Sequence, residues 1–336
     1  MKISKHIWIG IVASVGMFIL ILDAKTALNG ASDGVKLCLN TVIPALFPFF
    51  LFSILLNNTL LGAKTSILRP LGRLLGIPTG AEPLLLIGLI GGYPVGAQCI
   101  ADAYRNSRLT KADAHRMLGF CSNAGPAFIF GMGSCIFDRR DVLWLLWAIH
   151  IFSAVVVGII LPDRSKYSCT RSVLKTITVT QALEKSIRIL AAVCGWIIIF
   201  RVLLAFLNRW CLWLIRDPLK ALFTGILELA NGCYALPSVV SLGTRFVLCS
   251  AILGFGGLCV LMQTYAVTDG LGIGTYFPGK VMQCGLSIMI SGFVQSFLLT
   301  PGDRCNHWYL YGAIPLLLSA VILLLKRSKK RVEILC

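Results

Sequence analysis

Two short stretches set helix-breaking residues beside polar side chains in strongly apolar surroundings. They are Leu89-Ile-Gly-Gly-Tyr-Pro-Val-Gly-Ala-Gln98 and Cys121-Ser-Asn-Ala-Gly-Pro-Ala127. Lipid offers nothing to the backbone groups that Gly91, Gly92, Pro94 and Gly125-Pro126 would free, so irregular chain there must face protein or a water-filled cavity. Interrupted membrane helices of this kind mark transporter binding sites. Ser122 or Asn123 can cap a new half-helix with Pro126 in its first turn. The N–H groups near Gly125, Ala127 and Phe128 would then favour an anion or a polar substrate oxygen. The plainer reading is a kink that only helps helices pack.

A third group lies downstream. Glu228 stands in the middle of an apolar stretch, where a charge costs at least about 2.5 kcal/mol on insertion scales and is by default a functional candidate. It could bind a coupling cation, take up a proton, or hydrogen-bond a substrate when neutral. Asn231, one turn on, would share its face. The structural alternative is an acid pairing with Arg201 or with backbone, while Arg201 itself could simply snorkel to the surface. Tyr93, Gln98, Asn123 and Gln263 can each donate and accept hydrogen bonds from broken or adjacent helices. Taken singly each is helix–helix glue; taken together with Gly92, Pro94, Ser122, Gly125, Glu228, Asn231 and Gly256 they form the expected substrate site.

Other chemistry is poorly served. His6, His115, His150 and His307 are scattered, and neither a metal cluster nor a hydrolase constellation assembles. Gly270-Leu-Gly-Ile-Gly274 lacks the strand–turn–helix context of a nucleotide fingerprint. An enzyme is not expected, and no cofactor is expected beyond a coupling Na+ or H+.

The elements that must position these groups are membrane helices. The 336 residues are 57% hydrophobic and 13% charged, with a mean hydropathy of +0.83, far from the roughly 25% charged residues of soluble domains. Apolar runs suited to crossing a bilayer cover Ile7–Leu22, Val42–Leu61, Phe120–Phe137, Val142–Leu161, Ile187–Leu207, Phe246–Val267, Val281–Leu299 and Tyr309–Leu325. Two others, Pro83–Ile90 and Ala221–Leu229, are too short to cross and read as hairpins that enter and leave by one face. The net charge of +17 is spread through short loops, which sets topology rather than a nucleic-acid surface. With Lys2 and Lys5 in the cytoplasm, most basic residues fall on that side, including Arg105 to Arg116 as a basic loop and Lys280. The 13 cysteines form no C-x-x-C pair and read as small buried hydrophobes. The first segment reads as an uncleaved anchor followed by a polar stretch, Ser32–Asn40, at the outer interface.

The expected fold is all-α: a polytopic membrane protein of two inverted repeats, each with a re-entrant hairpin and a broken helix. Residues 1–30 form an anchor, 31–162 the first repeat, 163–186 a linker, 187–300 the second repeat, and 301–336 a last helix and basic tail. Gly225-Ile-Leu-Glu-Leu-Ala-Asn-Gly232 lies over Gly88–Val95, and Leu253–Gln263, with its break at Gly254–Gly257, lies over Ser122–Gly131. Matching interruptions in two inverted halves point to a site at mid-membrane. The expected partners are a small-molecule substrate and the bilayer, with no nucleic acid; a homo-oligomer is left open.

Gly92-Tyr-Pro-Val-Gly-Ala97, followed by Leu118-Gly-Phe-Cys-Ser-Asn-Ala-Gly-Pro-Ala-Phe-Ile-Phe130, resembles the YlbJ-type (SpoVV-type) sporulation integral membrane proteins of the wider nucleoside-recognition, or Gate-domain, group. Glu228-Leu-Ala-Asn-Gly232 and Phe255-Gly-Gly257 with Gln263 fit the same pattern. The resemblance implies paired hairpins and broken helices forming an alternating-access site, as in concentrative nucleoside transporters. It implies a spore-former, with the protein in the membrane of the mother cell or around the forespore, and dipicolinic acid as cargo. The alternatives are a nucleoside carrier and a non-transporting scaffold for spore-envelope assembly.

Overall fold

The structure, a computed structural model, describes residues 5–60, 67–162 and 177–296. The helix and tail expected over 301–336, and residues 163–176 of the expected linker, lie outside the described residues. Among the described residues the regular structure is helical throughout. Helix α1 (Lys5–Leu22) turns at Asp23 into α2 (Ala24–Leu37), which continues through a π-helical turn at Cys38–Val42 into α3 (Ile43–Leu60). A short α4 (Arg69–Leu74) precedes a hairpin of α5 (Glu82–Ile90) and α6 (Val95–Arg105). Next come α7 (Lys111–Leu118), α8 (Pro126–Gly133) and the long α9 (Arg140–Ile160). The second half runs from α10 (Val179–Trp210) through a hairpin of α11 (Asp217–Leu227) and α12 (Leu229–Ala235). It ends with α13 (Leu242–Phe255), α14 (Gly257–Val267) and α15 (Tyr276–Val294).

Four helical stretches among the described residues are long and apolar enough to cross a membrane: Ala24–Asn57, Arg140–Ile160, Val179–Trp210 and Leu242–Val267. Large apolar side chains such as Phe18, Phe52, Trp144, Phe152, Ile199 and Phe293 are exposed, whereas Asn57, Gln98, Asn123, Lys280 and Gln283 are buried. An exterior more apolar than parts of the interior suits lipid as the surrounding solvent. The protein is thus an all-helical polytopic membrane protein, as its composition requires.

Local chemistry starts the helices where the sequence signals it. Pro83, Pro126 and Pro218 stand in the first turns of α5, α8 and α11, where a missing N–H costs nothing. Thr178 and Gln181 form a reciprocal capping box at the start of α10. Charged pairs tie helices together. Asp102 accepts from Arg105 at 2.7 Å and Lys185 at 2.6 Å, tying α6 to α10. Asp23 accepts from Thr26 N–H at 3.2 Å, capping α2, and pairs with Arg209 Nε at 2.8 Å.

Ser32–Asn40 is helical, and Gly30 and Gly34 seat α2 directly on the backbone of α10 at Val202 and Ile198. Two expectations are corrected here. The span from Arg105 to Arg116 is not all loop: α7 occupies Lys111–Leu118, and Arg116 is buried. Its guanidinium donates to the carbonyls of Leu75 at 2.6 Å, Gly158 at 2.6 Å and Pro162 at 2.9 Å, satisfying chain ends that water does not reach. Lys280 lies within α15 and is buried, not cytoplasmic.

The first hairpin closes on a non-helical segment, Gly119–Gly125, that runs through its crotch. A Cβ built on Gly88 would lie 1.7 Å from the Cys121 carbonyl oxygen, and one on Gly96 would lie 2.2 Å from the same atom and 2.8 Å from Gly88 Cα. Only glycine at both places lets three chain segments approach so closely. Gly88→Ala should therefore destabilise the protein by about 1–3 kcal/mol through forced backbone shifts. Gly195→Ala, in α10 with nothing within 4 Å of the new methyl group, should be neutral or stabilising. Thermal unfolding of the two variants in detergent checks the contrast.

Candidate functional site

The expected interruptions exist, and their geometry follows from the residues. Between α5 and α6 the chain breaks over Gly91–Pro94. Between α7 and α8 it runs non-helical to Gly125, whose φ of −73° and ψ of 157° mark it as the residue before the helix. Between α11 and α12 it breaks at Glu228, with φ −144° and ψ 119°. Between α13 and α14 it breaks at Gly256 and Gly257, whose φ values of 82° and 84° suit glycine alone at little cost.

Three of these breaks line one cavity of about 360 Å³, within the usual range of about 300–1,000 Å³ for small-molecule sites, and the fourth packs against its wall at Tyr93 and Leu229. Its walls include Gly91, Gly92 and Tyr93 from the first break, Ala124 and Gly125 from the second, Glu228, Leu229 and Ala230 from the third, and Val260 and Gln263 from α14. Thr41, Ala45 and Phe49 close it from the α2–α3 side, and Val193 and Ile197 from α10. Tyr93 binds the first break to the fourth: its hydroxyl donates to Leu253 O at 3.4 Å, and a Cβ on Gly256 would lie 3.1 Å from it. The lining is apolar except for Thr41, Tyr93, Glu228, Tyr234, Gln263 and exposed backbone, few polar groups that can orient a ligand.

Glu228 is buried, and its carboxylate accepts from Ala230 N–H at 3.0 Å, Asn231 N–H at 2.7 Å and Asn231 Nδ2 at 2.7 Å. It caps α12 and so takes the backbone partner allowed for it in the sequence. It makes no ion pair with Arg201 among the described residues. Asn231 shares its face as expected.

The other expected site residues divide. Gly92, Tyr93, Gly125, Glu228 and Gln263 line the cavity, Pro94, Asn123, Asn231 and Gly256 stand beside lining residues, and Ser122 is buried outside the lining. Gln98 faces elsewhere, donating to Asp102 at 2.8 Å and lining a separate cavity with Arg105, Lys185 and Arg188. The capping expectation is corrected: neither Ser122 nor Asn123 caps α8, whose preceding residue is Gly125 with no side-chain bond. Asn123 is instead drawn back, donating to Phe120 O at 2.7 Å. Two of the N–H groups in this region are also engaged, Phe128 N–H by Gly125 O at 3.1 Å and Ala124 N–H by His150 Nε2 at 3.0 Å.

Behind Asn123 lies a network that was not foreseen from the sequence. Asn123 Oδ1 accepts from Lys280 Nζ at 3.1 Å and from Gln283 Nε2 at 3.0 Å. Gln283 Oε1 accepts from Lys280 at 2.7 Å, and its amide also donates to His150 O at 3.2 Å. The signal was present: Lys280 and Gln283 are one turn apart at the start of an apolar run.

Two short hairpins and two interrupted helices around a small cavity define a class, a helical membrane protein with an internal ligand-sized site. Within that class the chain is similar to the "Sporulation integral membrane protein YlbJ" of Bacillus subtilis (strain 168), with 23% identity over 305 residues, 76% of this chain and 75% of that protein. The YlbJ-type resemblance read from the sequence is borne out by this similarity. No family model matches the chain, and no solved structure matches it.

Removing the cap should weaken α12 and the wall it forms. Glu228→Ala is expected to cost about 0.5–2 kcal/mol, and Glu228→Gln, which keeps one acceptor oxygen, less. The midpoint of thermal unfolding in detergent reads the order wild type, Gln, Ala.

Proposed function

We propose that the protein is a carrier that moves a small polar or anionic metabolite across the membrane of a sporulating cell by alternating access. Dipicolinate is the cargo suggested by the YlbJ-type resemblance. The observation that carries this reading is that three chain interruptions, drawn from both halves of the sequence, line one cavity and the fourth packs against its wall. Non-helical backbone at membrane depth is tolerated where it lines a cavity or is buried in protein, and a cavity assembled from such breaks is how carriers bind cargo.

The two halves also support a repeat of the same plan. Each has a long helix, a short hairpin, a helix pair interrupted by irregular chain, and a further long helix, in that order. The hairpins close alike: Gly96 meets Gly88, and a Cβ on Gly232 would lie 2.2 Å from Gly225 Cα. The breaks dock alike as well, with Cys121 against Gly88 and Gly96, and Gly257 against Gly225 and Leu229. In the proposed topology the first hairpin enters from the cytoplasm and the second from outside, so that rocking of the halves exposes the cavity to each side in turn.

The test is uptake into proteoliposomes of labelled pyridine-2,6-dicarboxylate and of labelled nucleosides. Wild-type protein should transport a member of this panel. Glu228→Gln and Asn123→Ala should lower the initial rate at least about tenfold, equivalent to about 1.4 kcal/mol, while Arg140→Ala on the exposed surface should leave it unchanged. Uptake no better than in empty liposomes would favour a scaffold instead, and full uptake by both site variants would show that cargo does not use this cavity.

A further inference from the structure

Lys280 has no role in the cavity wall, yet its position is unusual. It is 1% exposed, and its ammonium touches only neutral oxygens, Asn123 Oδ1 at 3.1 Å and Gln283 Oε1 at 2.7 Å. The ring centroids of Tyr93 and Tyr276 lie 5.1 and 5.7 Å from Nζ. Among the described residues no Asp or Glu lies within ion-pair distance of it. Amide oxygens and ring faces offset only part of the cost of a buried cation. The remainder is met by a counter-charge or removed by loss of the proton.

A counter-charge can come from the cavity. Tyr93 carries the ammonium against its ring and itself lines the cavity, and Asn123 is followed directly by Ala124 and Gly125, which also line it. An anion held beside Tyr93 and Gly125 would therefore lie one side-chain layer from Lys280, across low-dielectric protein where charges interact strongly. Proton binding and anion binding then favour each other reciprocally.

The surrounding titratable groups do not take this role. His150, from α9, accepts the Ala124 N–H at Nε2, a bond that a proton on that nitrogen would break. Cys121 and Tyr276 are neutral neighbours, and Tyr93 donates to Leu253 O. Glu228 stands on another wall of the cavity with its oxygens committed to the α12 cap.

Resting on the carrier reading above, we propose that Lys280 is the proton-coupling group: neutral when the cavity is empty and protonated when an organic carboxylate occupies it. The proton comes from water on the side of loading and is released to water on the side of discharge, so one proton crosses with each anion. No bond other than N–H is made or broken.

The experiment uses the full chain and pyridine-2,6-dicarboxylate as probe. Calorimetric titration of wild type in two buffers of different ionisation heat should show uptake of about one proton per bound probe, and an inward proton gradient should drive accumulation in proteoliposomes. Lys280→Arg keeps its charge permanently; it should bind without proton uptake, retain probe exchange, and lose gradient-driven accumulation at least about tenfold. His150→Gln should keep proton uptake. Binding by wild type without proton uptake, or proton uptake persisting in Lys280→Arg, overturns the proposal. Should Lys280→Arg not fold, the wild-type titration and His150→Gln decide alone. Transport of nucleosides without carboxylate binding overturns this inference and leaves the carrier reading standing. Transport of nothing in the panel overturns both.

Discussion

The structure depends on one constraint: in lipid, a backbone N–H or C=O that leaves the helical ladder must find a partner inside the protein. Each break in this chain meets that demand locally. The Glu228 carboxylate takes the first N–H groups of α12, His150 takes that of Ala124, and the Tyr93 hydroxyl reaches the Leu253 carbonyl near the end of α13. Because each solution borrows a group from another segment or from the next turn, the breaks are drawn together, and the cavity is the space left between them.

Close approach of the segments is a second condition. The crotch of the first hairpin holds the Cys121 carbonyl against two glycines, and that contact fixes where Asn123, Ala124 and Gly125 fall. Asn123 then becomes the link between the cavity wall and the polar layer of Lys280, Gln283 and His150. A hydrogen-bonded layer of this kind, buried and shared by α9, α15 and the non-helical segment, makes the position of the wall sensitive to charge on a single amine.

Much of this was legible in the sequence because the signals were local. Gly-Gly-Tyr-Pro at 91–94, Pro126 after Gly125, and a lone Glu228 in apolar chain each announce a break where it occurs. Readings that needed tertiary partners failed. Asn123 looked like a helix cap, but Lys280 and Gln283 compete for its side chain. Arg116 and Lys280 were counted as loop charges, since nothing in a one-dimensional pattern shows a carbonyl 41 residues away or an amide 157 residues away. Gln98 sits only four residues past the tip, but the helical turn carries it to Asp102 instead.

The central claim is that the meeting point of the four breaks is a solvated pocket that cargo can enter. Cysteines placed at Ala45 and at Ala127, both on the cavity wall, test it most directly in a background with the exposed Cys135 and Cys211 and with Cys169, Cys305 and Cys336 changed to serine. The account expects both to react with a water-soluble methanethiosulfonate in liposomes and to be protected by a transported member of the panel. Two unreactive thiols, in protein that remains folded, would contradict it.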